Sequence, residues 1–115
     1  MIIKINENDL ELKYSFRVDI YFEQIEGHPL DLRALKGNDL LTLFYCVVIA
    51  SLQKAKQPII TMEEFMDAID DNGGGKKLLE FAEWYVNTMK TEYDVLGQLD
   101  DNKKKKTKKP NSKKN

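Results

Sequence analysis

Few residues in this chain are equipped for chemistry, and they stand apart. The only histidine, His28, lies in a turn between Gly27 and Pro29. Glu26 and Asp31 are its acidic neighbours in sequence, but acid–base or metal chemistry needs a further group converging in a defined geometry. His28 therefore reads as a structural or exposed residue. The only cysteine, Cys46, sits between Tyr45 and Val47 in an apolar run. A nucleophilic thiol needs an electropositive, partly exposed setting, so Cys46 reads as a small buried hydrophobe, in a reducing compartment. Asp67, Asp70, Asp71 and Asn72 precede three glycines and invite a calcium reading. An EF-hand loop wants ligands at its first, third and fifth positions, glycine at the sixth and glutamate at the twelfth. Counting from Asp67 puts Ile69 third and Leu78 twelfth; counting from Asp70 puts Gly74 fifth and Phe81 twelfth. Neither fits, and the segment reads as a helix end with a solvated acidic rim. Gly73-Gly74-Gly75-Lys76-Lys77 lacks the Ser or Thr and the earlier glycine of a Walker phosphate loop, which leaves a loop before a helix. No catalytic residue, metal ligand or cofactor is expected.

The strongest charge feature lies at the end. Lys103 to Lys106, Lys108, Lys109, Lys113 and Lys114 form an acid-free tail of eight lysines, while residues 1–102 hold ten basic residues against 19 acids, a net −9. A basic arm can hold nucleic acid with steep salt dependence, but this one has neither arginine nor an aromatic residue for stacking, and the acidic body repels phosphate. Nucleic acid is thus disfavoured as a partner. A membrane surface is disfavoured too, for want of an anchor or an amphipathic helix beside the lysines. A plain solvated tail is the remaining reading.

The elements that must position these residues belong to one domain over 1–97, with 98–115 as a disordered tail. The 115-residue chain holds 42% hydrophobic residues, enough for a core without staples. Ile2, Ile3 and Ile5, a polar turn at 6–9, and the alternation of Leu10, Leu12 and Tyr14 predict a short β-hairpin. The next segment alternates as a strand would through Phe16, Val18, Ile20 and Phe22. It also has helical spacing through Tyr14, Val18, Tyr21, Phe22 and Ile25, with Ser15 as a cap and Gly27 as a stop. The marked ends favour a helix over about 16–26. Asn38 then caps a helix over about 39–55, apolar almost all round. Such a helix is buried centrally or has a second face covered by a partner, and a chain this small has little with which to cover it. The longest apolar stretch, Leu40 to Leu52, has 13 residues, short of the about 20 a membrane span needs. No targeting segment is read at the start, and the protein is expected to be soluble and cytosolic. Thr61-Met62-Glu63-Glu64 is a capping box, followed by a stripe of Met62, Phe65, Met66 and Ile69. A last helix begins near Lys76. Its inner face is Leu78, Ala82, Tyr85, Met89, Tyr93 and Leu96, widened by Phe81 and Trp84, and Gly97 stops it. The fold class is mainly α, about four helices with an N-terminal hairpin and a disordered basic tail.

Residues 10–27, LELKYSFRVDIYFEQIEG, resemble the start of the tail assembly chaperones of long, non-contractile-tailed bacteriophages. The matching residues are Tyr14, Phe16, Arg17, Phe22, Glu23, Ile25 and Gly27, and the likeness continues in outline over about residues 2–96. It implies a mainly helical, non-enzymatic protein of the host cell cytoplasm, absent from the mature virion. It also implies binding to the tape measure protein, which is kept soluble, and recruitment of tail tube protein through a form extended by programmed frameshifting. Four consecutive lysine codons can supply a slippery stretch, so this chain would be the unextended form. A holdase needs apolar surface of its own. Leu40, Phe44, Val47 and Val48 on the apolar helix, and Met62 and Met66 on the next, are the residues expected to meet a partner. Self-association through the same helix is a further expectation. The rival reading is a small regulatory or nucleic-acid-binding protein that uses the tail as an arm.

Overall fold

The computed structural model describes residues 1–35 and 37–107, with side chains as far as residue 91. Among the described residues the fold is mainly α. Strands β1 (Ile2–Ile5) and β2 (Asn8–Glu11) are followed by helices α1 (Arg17–Glu26), α2 (Asp39–Lys54), α3 (Met62–Asp71) and α4 (Gly75–Thr107). The chain divides into two compact units, Met1–Trp84 and Tyr85–Asn115. The division falls inside α4.

The strands pair antiparallel, with Ile3 opposite Leu10 and Ile5 opposite Asn8. The expected four-residue turn is thus a two-residue one. Asn6 and Glu7 take φ of 51° and 65°, the left-handed pair that matches the twist of a tight hairpin. The alternation puts Ile3, Ile5, Leu10 and Leu12 on the buried face.

The ambiguous third segment is the helix α1. Val18 and Phe22, four residues apart, are fully buried, and Gly27 at φ 80° ends the helix, its N–H donating to the Glu23 carbonyl. A side chain at Gly27 would meet no clash but would be forced into the left-handed region. Ser15 does not cap. The N-cap is Phe16 without a side-chain bond, and the Ser15 hydroxyl is buried without a hydrogen-bond partner. Ile25, expected inward, is 47% exposed, because its position lies at the margin of the face that Val18 and Phe22 define.

Helix α2 is the centre of the first unit, and this one chain covers it. Every residue from Thr42 to Leu52 except Tyr45 is buried. Helix α1 and strand β2 pack against it. Phe44 meets Phe65 of α3 edge-on at 5.1 Å and stacks on Phe81 of α4 at 4.2 Å, with the rings 4° from parallel. The polar residues of so apolar a helix are matched: the Ser51 hydroxyl accepts from the Lys13 N–H at 3.0 Å and donates to the Lys13 carbonyl at 3.4 Å. Asn38 is the N-cap position, but its side chain makes no cap bond. Its carbonyl instead accepts the Thr42 N–H at 2.9 Å.

Helix α3 opens with the expected capping box. Thr61 Oγ1 accepts the Glu64 N–H at 3.1 Å and Glu64 Oε1 accepts the Thr61 N–H at 2.8 Å. At its other end Asn72 ties the helix to β1: Oδ1 accepts the Lys4 N–H at 3.2 Å and Nδ2 donates to the Lys4 carbonyl at 3.0 Å and to the Ala68 carbonyl at 2.6 Å. In α4 the buried position within the first unit is Phe81, while Leu78, Ala82 and Trp84 are half-buried. Phe81, expected to widen the inner face, is thus buried more fully than Leu78 and Ala82, which were expected to define it. In the second unit Tyr85 and Met89 are the buried positions, four apart on the helix. Helix α4 passes Gly97, the expected stop, and continues to Thr107. A single interior glycine costs about 1 kcal/mol relative to alanine, and its neighbours Leu96, Gln98 and Leu99 favour helix. The side chains of Tyr93 and Leu96, and the tail expected from 98 onward where it passes residue 107, lie outside the described residues.

Candidate functional site

Two places in the first unit gather residues with something to offer a ligand. The first is apolar. Leu41 of α2, Met66, Ile69 and Asp70 of α3, and Gly74, Gly75 and Leu78 at the start of α4 line an open cleft of 240 Å³. It exists because the α3–α4 connection is made of glycines. A Cβ at Gly74 or Gly75 would meet nothing within 4 Å, so the floor between the two helices stays bare. The volume suits one or two apolar side chains rather than a cofactor.

The residues expected to meet a partner divide here. Met66 lines the cleft and is 43% exposed. Leu40 and Met62 are half-buried. Phe44, Val47 and Val48 are fully buried core residues, so a partner approaching this fold from outside does not touch them. The apolar residues the fold leaves outward lie elsewhere. Phe16 is 71% exposed, with Ile20 one turn on also exposed on α1. Periodicity on α1 contained this signal: a face defined by Val18 and Phe22 leaves Phe16 and Ile20 opposite.

The second place is polar. Glu26 ends α1, His28 follows Gly27, and Asp39 begins α2; one ligand atom from each lies within 4.8 Å of the others. His28 Nε2 is 3.5 Å from Asp39 Oδ1, with the Asp39 side chain only 5% exposed. The other ring nitrogen, Nδ1, lies 3.0 Å from the Pro29 carbonyl. Phe22 meets the imidazole edge-on at 5.5 Å. Thr42, one turn into α2, donates its hydroxyl to Glu26 Oε2 at 2.5 Å. Cys46, a further turn on, has its thiol pushed up to about 12 by burial and then by the charge of Glu26. It is a protonated, unreactive thiol at neutral pH.

The convergence that His28 lacked in the linear sequence is therefore made by the packing of α1 on α2, and its missing member is Asp39. Asp31, the acid considered beside it, turns instead to Arg33: its Oδ1 accepts the Arg33 backbone N–H at 3.0 Å, which holds the Asp31 carboxyl below its usual range. The acidic rim at 67–72 and the Gly73–Lys77 loop form no metal-ligating cluster among the described residues. Among the described residues no helix is long and apolar enough to cross a membrane.

Among the described residues the first unit is thus a hairpin and helices that carry an apolar cleft and a polar cluster. Comparison of the chain with family models, with curated proteins and with solved structures finds no match.

Proposed function

We propose that this chain is a non-enzymatic tail assembly chaperone of the kind that residues 10–27 resemble. It binds the tape measure protein in the host cytoplasm and keeps it soluble; a frameshift-extended form brings tail tube subunits, and none of it remains in the mature virion. The observation that carries the reading is the fate of the apolar residues in that segment. Phe22 is spent on the core, but Phe16 and Ile25 are 71% and 47% exposed. Large apolar residues that the fold does not use are available to a partner. The cleft at Met66 adds a socket for an apolar knob of a partner helix, with a flexible thioether at its rim. A body of net charge −9 over residues 1–102 supports solubility of an aggregation-prone partner.

Co-expression with a tape measure protein of such a phage tests the reading. The soluble fraction of that protein rises with this chain present. The double variant Phe16→Glu/Met66→Glu loses most of the effect while keeping its own helical circular dichroism and Tm. A soluble fraction that this chain leaves unchanged overturns the proposal.

A further inference from the structure

The cluster at the α1–α2 junction poses an electrostatic problem with a chemical answer. A carbonyl oxygen only accepts, so the 3.0 Å contact between His28 Nδ1 and the Pro29 carbonyl assigns the hydrogen to Nδ1. In a neutral ring this leaves Nε2 as a bare lone pair. That lone pair faces a carboxylate oxygen of Asp39 across 3.5 Å. A cation shared by the two suits both acceptors, either a proton on Nε2 or a metal ion. The spacing is close to that of two ligands on one metal ion. Charge-assisted N–H···O bonds close to about 2.7–2.9 Å, whereas two ligands each roughly 2.0–2.1 Å from a tetrahedral zinc stand about 3.3–3.4 Å apart.

The surroundings match what a metal requires. Glu26 brings a third ligand atom within 4.8 Å of the other two. Two carboxylates and a neutral imidazole balance a dication. The Thr42 hydroxyl donated to Glu26 Oε2 and the Pro29 carbonyl on His28 Nδ1 are the outer hydrogen bonds that orient ligating carboxylates and imidazoles. The edge-on Phe22 ring holds the imidazole plane. Mixed nitrogen and oxygen donors suit zinc-class ions better than calcium or magnesium.

We propose that Glu26, His28 and Asp39 hold one zinc-class divalent cation, with water completing its shell, and that the ion clamps the end of α1 to the start of α2. Between those helices the described residues form only turns and irregular chain, one turn being closed by the Ala34 N–H on the Asp31 carbonyl at 3.0 Å. A bridge across the two ends of that segment stabilises the native state through its preference for the folded site.

The test uses tag-free full-length protein stripped with EDTA and titrated calorimetrically with ZnCl2, and in parallel with MgCl2 and CaCl2. Zinc binds saturably at one equivalent and raises Tm, EDTA reverses the rise, and magnesium and calcium give neither signal. Substituted Co2+ shows the intense visible bands of a four-coordinate site. His28→Gln alters a side chain that is 48% exposed, so the metal-free variant keeps the parent Tm; it loses at least tenfold in zinc affinity together with the Tm rise. Glu26→Gln, read in the same titration, also weakens binding. Absence of saturable zinc binding by the parent, or parental affinity in both variants, overturns the site.

Discussion

Cys46 shows how burial turns a reactive group into a pH-dependent stability term. Burial and the Glu26 charge push its thiol up to about 12, against about 8.5 in an unfolded chain. The folded state therefore holds this proton more tightly. Below about 8.5 both states keep it and the full stability is present; as pH climbs toward 12 the unfolded chain releases it first and stability is lost. Tyr45, raised mainly by burial, acts in the same direction. Cys46→Ala is expected to show a shallower fall of Tm between pH 8.5 and 11 than the parent, and native Cys46 to react with thiol reagents only as fast as the chain unfolds. A labelling rate equal to that of a free thiol defeats this account. Ser15 offers a second residue-scale contrast. As a helix cap its loss would cost about 0.5–2 kcal/mol. With its hydroxyl buried and unpartnered, Ser15→Ala is expected to leave stability unchanged or raise it by about 1 kcal/mol, measured by urea denaturation. At this scale local chemistry was legible and convergence was not. Thr61 and Glu64 are three residues apart, so their capping box could be read directly. Asp39 is remote from His28 along the chain, and only the packing of α1 on α2 brings the two together.

At the scale of elements, the residues with mechanical reasons to stop or start a helix were the legible ones. Gly27 ends α1 in the left-handed conformation, as its place after a helical period implies. The hairpin was legible through alternation, but its turn was not, because Asn6 and Glu7 adopt positive φ without the glycine that usually signals it. That choice leaves strain to relieve. A non-glycine residue in the left-handed region costs about 1–2 kcal/mol, more for Glu than for Asn, whose short side chain bonds locally. Glu7→Gly is expected to raise stability by about 1 kcal/mol, with the strand register intact by NMR. The core offers the opposite sign. Phe81 is fully buried and stacked on Phe44, so Phe81→Ala is expected to cost about 3–5 kcal/mol. Trp84→Ala, from a half-buried position beside it, should cost less. Equal losses would place the two rings in the same environment. Asn72 ties the end of α3 to β1. Its amide copies a peptide group against Lys4, a long-range role that no local spacing reveals.

Charge separation is a property of the whole chain. Residues 1–102 carry ten basic residues and 19 acids, and the eight lysines that bring the total to −1 all follow Asn102. Two functional readings make opposite demands on those lysines. If they form a nucleic-acid arm, removing residues 103–115 abolishes binding to RNA or DNA, and binding by the full chain weakens steeply as salt rises, since each phosphate contact releases counterions. If the chain is a tail assembly chaperone, its partner is gripped by apolar surface in the folded body, at Phe16 before α1 and Met66 at the cleft. Apolar contacts between uncharged groups gain nothing from the tail and are little weakened by salt. The chain ending at residue 102 is therefore expected to keep the parent Tm and to raise the soluble fraction of the tape measure protein as the full chain does, at low and at moderate salt alike. Its greater net charge, −9 against −1, should if anything oppose aggregation of the complex. Loss of solubilising activity on truncation, with Tm unchanged, would move the gripping surface from the folded body to the lysines and remove the physical basis for reading Phe16 and Met66 as the contact.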